Sequence, residues 1–275
     1  MAGKGASKEK TSGVESYDYD TVGVLALREV ERTYRHTFGY SLGYTRTDFQ
    51  MDSSRFSEDM ANTVQLGLHN KYKANGWNFR NDLLGRVSFH TSDRTMDWYD
   101  GTQSKMKADY NVYGVNSLNE IGKEFDLGRN TKIIPYTGLE LGYMSHESFQ
   151  EKGDAEKLKV DKNDGYSVKP EIGVRLEAEK NLGKNENWRI KGNIGAGYEY
   201  ELGNMNKQEQ ASVAAIEDGY HKLAKPAEDK GKIKTNGMVG VEVKDRYGIF
   251  VTGEYGIGNS NKEDYKVGLS LKAVF

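Results

Sequence analysis

The chain has 275 residues, enough for one large all-β domain or two smaller mixed ones, and its 18 Tyr, 32 Gly and only 3 Pro favour many strands joined by polar turns over a helical bundle. A net charge of -2 gives nucleic acid no electrostatic foothold, and the lack of cysteine excludes disulfides and thiolate metal sites. Mean hydropathy is -0.79 and no stretch approaches the ~20 apolar residues of a spanning helix, but a membrane barrel stays open because only every second residue of its strands faces lipid.

Residues 1–18 read as a polar linker or loop. Residues 1–10 are small and charged, without the apolar core of a secretory signal, so any export signal is expected upstream and the chain is read as a piece of something longer. Six strands are expected next, at 19–30, 34–49, 62–73, 77–90, 110–125 and 132–144; 19–30 and 110–125 alternate least cleanly. In 166–178, Tyr166, Val168, Pro170, Ile172, Val174, Leu176 and Ala178 form an apolar face against Lys169, Glu171, Arg175 and Glu177. In 188–202, Trp188, Ile190, Ile194, Ala196, Tyr198, Tyr200 and Leu202 oppose Arg189, Lys191, Asn193, Glu199 and Glu201. Val239, Val241 and Val243 repeat the pattern, as do Tyr247, Ile249, Val251, Tyr255 and Ile257. The end is the clearest: Tyr265, Val267, Leu269, Leu271, Ala273 and Phe275 alternate with Lys266, Gly268, Ser270, Lys272 and Val274 to the last residue.

A period of two marks strands with different environments on their two sides. These strands exceed the roughly 5–6 residues usual in soluble sheets and suit the roughly 9–11 that a tilted strand needs in hydrocarbon. Connections alternate as well. The set 50–61, 91–109, 145–165, 203–231 and 259–262 is mostly long; the set 31–33, 74–76, 126–131, 181–187 and 245–246 is short. Membrane barrels sort long extracellular loops from short periplasmic turns in this way, which puts Phe275 in the periplasm and the front of 19–30 outside. The expected fold is an all-β antiparallel transmembrane β-barrel of the outer membrane, with 12 strands of which 11 are recognisable in 19–275. Single-chain barrels have even strand numbers, and residues 1–16 are too polar to be a convincing first strand, so that strand is expected upstream.

With 34–44 (YRHTFGYSLGY), 247–255 (YGIFVTGEY) and the closing 271–275 (LKAVF), the chain resembles the translocator barrels of type V secretion autotransporters over roughly 19–275. The resemblance implies a pore and anchor at the C-terminus of an exported passenger, typically an adhesin or other virulence factor, in the outer membrane of a Gram-negative bacterium. It also implies a helix threading the lumen, outer-membrane lipid and the barrel assembly machinery as partners, a terminal strand (Tyr265, Val267, Leu269, Leu271, Ala273, Phe275) read as an assembly signal, and no cofactor. The chain departs from the family by lacking a passenger, a clear pore helix and a convincing first strand.

Arg80, Arg86, Lys169, Glu171, Arg175, Glu177, Arg189, Lys191, Glu199 and Glu201 fall on polar strand faces and are expected to line the lumen; the pair Glu199 and Glu201 is ordinary same-face spacing, not an acid/base couple. His36, His69, His90, His146 and His221 never take metal-ligand spacing. His36 and Trp77, with Tyr34, Tyr40, Tyr44, Tyr198, Tyr200 and Tyr255, fit either an aromatic girdle or plain strand packing. The glycines of 192–197 lie in a strand and open no helix, unlike a phosphate loop, and 161–165 reads as a polar turn without the later Glu of a calcium loop. A short surface helix is expected in 208–219. A free-standing porin or adhesin is the alternative function; a soluble β-rich enzyme is not expected, since no nucleophile, base or metal cluster stands out.

Overall fold

The structure is a computed structural model describing residues 1–7, 17–33, 35–51, 57–154, 157–182, 187–204, 209–213, 219–223, 230–244, 246–259 and 262–273. Twelve strands form the wall: β1 (Ala2–Ser7), β2 (Tyr17–Thr33), β3 (His36–Met51), β4 (Ser57–Ala74), β5 (Trp77–Asp97), β6 (Gln103–Lys123), β7 (Thr131–His146), β8 (Asn163–Leu182), β9 (Trp188–Tyr200), β10 (Gly231–Val243), β11 (Tyr247–Gly258) and β12 (Lys262–Ala273). Each pairs antiparallel with the next, and β1 pairs with β12 to close the barrel.

The first strand therefore lies inside the stretch read as polar linker, not upstream of the chain. It escaped the alternation test for a physical reason. Its inner positions are Gly3 and Gly5, and the Tyr19 ring of β2 lies across Gly5 where a side chain would stand. Lys4 points the other way and pairs with Asp20, 2.9 Å apart, both exposed. The strand is also short: Ala2 faces Val267 and Val22, Ser7 faces Lys262 and Tyr17. Beyond Met1, β2 and β12 nowhere approach within 8 Å, Cα to Cα.

Connections differ from expectation at one end. The link 91–109 is mostly strand: β5 and β6 pair out to Asp97 and Gln103, closed by a turn in which Asp100 accepts hydrogen bonds from the Thr102 amide and hydroxyl at 2.9 and 2.6 Å. The short link at Asn75–Gly76 is a tight turn in which both residues take positive φ (51° and 75°), the geometry that Asn-Gly supplies in two-residue hairpins. Two of the remaining long links meet one another. Phe149–Gln150, Leu158–Val160, Gln210–Val213 and His221–Lys222 form a small four-stranded sheet joining the β7–β8 and β9–β10 connections. Within the helix expected at 208–219, Gln210–Val213 is strand because its backbone pairs with Leu158–Val160; 208 and 214–218 fall outside the described residues.

Burial is inverted relative to a water-soluble fold. Val24, Leu66, Ile172, Ile194 and Leu271 are 63–77% exposed on the convex face, while Asp82, Glu199 and Glu242 are buried on the concave one. So continuous an apolar outer surface has no place in water and fits hydrocarbon.

The inner wall packs aromatic rings over glycine. Tyr136 lies across Gly173 and Gly197, where a Cβ at either position would collide with its ring or hydroxyl, and it donates a hydrogen bond to Glu171 at 2.9 Å beneath the Arg175 guanidinium, 5.0 Å from the ring centre. Gly173→Val is expected to displace the ring and cost about 1–3 kcal/mol, the usual penalty for overpacking. A lower midpoint for loss of the folded band in heat-modifiability gels checks this; an unchanged midpoint would contradict the packing.

Candidate functional site: the inner wall

The polar residues singled out from the sequence occupy one side of their strands, and their partners come from neighbouring and next-but-one strands. Arg175 on β8 reaches Glu120 on β6 at 3.1–3.3 Å, past β7. Lys234 on β10 lies 2.7 Å from Glu171 on β8 and 2.7 Å from Glu199 on β9. Lys272 on β12 (2.5 Å) and Lys191 on β9 (2.6 Å) both hold Glu242 on β10. Strands two apart are brought together this way on the concave side of a curved sheet, where side chains converge. Lys169 is 3.8 Å from Glu140, Arg189 donates to Asn181 at 3.1 Å, Arg80 is 2.6 Å from Asp82, and Arg86 lies over Gly114. Glu177 follows Arg175 two positions along the same face. Glu201, just past β9, accepts from the Ser167 hydroxyl at 2.5 Å and the Val168 amide at 3.0 Å. Sequence reading missed the partners Glu120, Tyr136, Lys234 and Glu242, because their strands alternate less cleanly or were read on their apolar side only; Lys272 was placed on the polar face of the last strand but not given a lumen role.

At the outer end the wall is built up by its own connections. Tyr110 stacks between His90 (4.7 Å) and Phe149 (4.3 Å), and Asp59 accepts hydrogen bonds from His90 and Tyr110 at 2.9 and 3.0 Å. Arg94 holds Glu151 through two bonds of 2.9 and 2.6 Å, and Gly153 pairs with Met106 on the free edge of β6. The β7–β8 connection thus folds onto the inner faces of β5 and β6. At the opposite end Glu124, just past β6, accepts hydrogen bonds from Lys73, Lys132 and Asn78 at 2.8–3.0 Å. Burial pushes its carboxyl up, but these three donors prevail and bring it from 4.5 down to about 2. A carboxyl depressed on folding stabilises above its unfolded value and loses that contribution as pH falls through the folded one. Glu124→Gln is therefore expected to flatten the stability loss between about pH 4.5 and 2. Identical acid unfolding profiles would contradict the assignment.

Tyr265, Val267, Leu269, Leu271 and Ala273 share the exposed outer face of β12; Phe275 lies outside the described residues, as does Tyr34. Trp77, Tyr40, Tyr44, Tyr198, Tyr200 and Tyr255 are exposed, and His36 hydrogen-bonds Asn70 at 2.6 Å. The segment 192–197 runs within β9, and 161–165 leads into β8 at Asn163.

The family model of the autotransporter beta-domain matches residues 1–254. The chain belongs to that family. Autotransporter beta-domains are translocator barrels, and solved ones share this fold. The translocator domain of NalP from Neisseria meningitidis superposes with a TM-score of 0.70 at 11% identity, covering 100% of this chain and 85% of that one. The beta domain of Bordetella BrkA gives 0.64 at 15% identity, with 100% and 98% covered. The transport unit of AIDA-I from Escherichia coli gives 0.65 at 10%, with 100% and 88%. An extracellular serine protease of Serratia marcescens is 23% identical over 93% of this chain, which spans 24% of that protein. In this autotransporter beta-domain a charged inner wall is enclosed by an apolar outer one.

Proposed function

We propose that this barrel anchors and exports an N-terminal passenger, of the adhesin or virulence-factor kind, across the outer membrane of a Gram-negative bacterium. The observation that carries this reading is a continuous charged inner wall inside a lipid-suited outer one, in a chain of the autotransporter beta-domain family. Arg80, Arg86, Lys169, Glu171, Arg175, Glu177, Arg189, Lys191, Glu199 and Glu201 hold water along the route of an extended polypeptide, whose own polar backbone would find no partners in hydrocarbon. Lipid contacts the outer face, and the barrel assembly machinery engages the terminal strand Tyr265, Val267, Leu269, Leu271, Ala273 and Phe275; Phe275→Asp is expected to lower insertion, and normal insertion would remove that role.

The test fuses a small epitope-tagged reporter behind an export signal and ahead of residue 1. Surface exposure of the tag to added protease in intact cells is the expected result. A correctly inserted barrel with the tag retained in the periplasm would overturn the reading in favour of a free-standing porin or adhesin.

A further inference from the structure

Three neighbouring strands place Ser41 (β3), His69 (β4) and Asp82 (β5) side by side on the inner wall. Ser41 Oγ lies 2.7 Å from His69 Nε2, and His69 Nδ1 lies 2.9 Å from Asp82 Oδ1. Arg80 Nε sits 2.6 Å from the other Asp82 oxygen. With Asp82 accepting from Nδ1–H, Nε2 is left to accept from the Ser41 hydroxyl. Nucleophile, base and orienting carboxylate stand in the order that acyl-transfer sites use on unrelated folds.

The surroundings suit a substrate. Gly39 and Gly43 flank Ser41 two positions away on the same face, and Ser41 pairs with Gly67 across the ladder. A Cβ on Gly67 would collide with Ser41 Oγ and come within 3.0 Å of His69 Nε2, so glycine there keeps the hydroxyl and the imidazole together. The stretch 39–43 (GYSLG) has the Gly-x-Ser-x-Gly spacing of a nucleophile elbow. On a strand its glycines serve another end: Glu29 and Leu25 of β2 lie over Gly39 and Gly43, on either side of Ser41, which is 4% exposed. Leu27 stands opposite Ser41 and Leu25 opposite Gly43. They are 50% and 47% exposed, an apolar ledge in a wall otherwise rich in charge. The ledge lies on β2 beyond Val22, the last residue paired to β1.

We propose that Ser41, His69 and Asp82 form a nucleophilic site that accepts the acyl group of a carboxylic ester, with Leu25 and Leu27 holding the acyl chain. Ser41 Oγ attacks the ester carbonyl carbon as its proton passes to His69 Nε2. The carbon–alkoxy bond breaks, and the leaving alcohol takes that proton. Water then attacks the acyl-Ser41, gives a proton to His69, and releases the carboxylic acid with Ser41 restored.

Ser41 Oγ of the folded barrel in detergent is expected to displace fluoride from the phosphorus of an alkyl fluorophosphonate, giving a covalent adduct located on Ser41 by mass spectrometry, and the barrel is expected to hydrolyse p-nitrophenyl butyrate. Ser41→Ala should abolish both, and Asp82→Asn should slow both at least about tenfold, each in material whose heat-modifiable mobility shows a folded barrel. No adduct on the folded protein, an adduct that persists in Ser41→Ala, or full reactivity in folded Asp82→Asn would overturn the proposal. Cleavage of a peptide substrate without ester turnover would overturn the ester assignment.

Discussion

Deletion of residues 1–7 is expected to abolish the folded, heat-modifiable form of this autotransporter beta-domain. β1 is short and polar, yet its backbone is paired on both sides, to Lys262–Val267 on one flank and Tyr17–Val22 on the other. Removing it exposes two ladder edges of β2 and β12 where the outer face is apolar, and each unsatisfied backbone group in hydrocarbon costs several kcal/mol, roughly. A few such groups exceed the roughly 5–15 kcal/mol that stabilises an ordinary domain. Lys4→Val, which keeps the backbone, is expected to leave the folded form intact, because the exposed Lys4–Asp20 pair is worth little. The converse also holds. Between Val267, opposite Ala2, and Ala273 lie further β12 positions that β1 does not reach. An extension ahead of Met1 with apolar residues at alternate positions should pair there and raise the unfolding midpoint. Folding of the shortened chain at the original midpoint would show that β1 does not close the wall.

The second large effect is expected at Lys234. Its ammonium lies 2.7 Å from carboxylates on two different strands, and Glu171 and Glu199 are each nearly buried, at 14% and 11% side-chain exposure. Lys234→Met removes the one cation among the described residues at bonding distance from both at once and leaves two carboxylates facing each other. Breaking a buried pair costs about 3–5 kcal/mol because an uncompensated charge remains. Residual exposure to lumen water puts the expected loss toward the lower end. Glu171→Gln and Glu199→Gln added to Lys234→Met should recover much of it, since neutral amides need no counter-charge. Thermal midpoints of the single and triple variants check this, and a single variant as stable as the parent would show that lumen water already solvates the carboxylates.

What the sequence discloses follows from what each strand buries. Strands β8, β9 and β12 separate apolar from charged residues cleanly, so their faces are legible without coordinates. β1 was hidden because its inner face is glycine and the ring covering it belongs to Tyr19, whose contribution only register reveals. The extensions of β5 and β6 read as loop because their outer halves carry polar residues on both sides, such as Asp93 and Asp97 opposite Lys107 and Gln103. Gln210–Val213 has helix-forming neighbours in sequence, and pairing with Leu158–Val160 decides its conformation. Ser41, His69 and Asp82 are scattered over three strands; the Gly-x-Ser-x-Gly spacing at 39–43 was the one local sign, and it normally marks a strand-to-helix turn, whereas here it lies within β3.

Single cysteines along β8 test most directly whether one face of this wall meets lipid and the other water. The chain has no native cysteine, so each introduced thiol reports alone. Cysteines replacing Ile172, Val174 and Leu176 in turn, and Lys169, Arg175 and Glu177 in turn, should be probed in protein reconstituted into bilayers. A charged, membrane-impermeant maleimide should label 169, 175 and 177, and a fluorophore at 172, 174 and 176 should be quenched by a spin label on lipid acyl chains. Water contact at all three odd positions and lipid contact at all three even ones is the expected result. Uniform aqueous labelling of both faces would contradict the membrane barrel and with it the polar lumen on which the translocator reading depends.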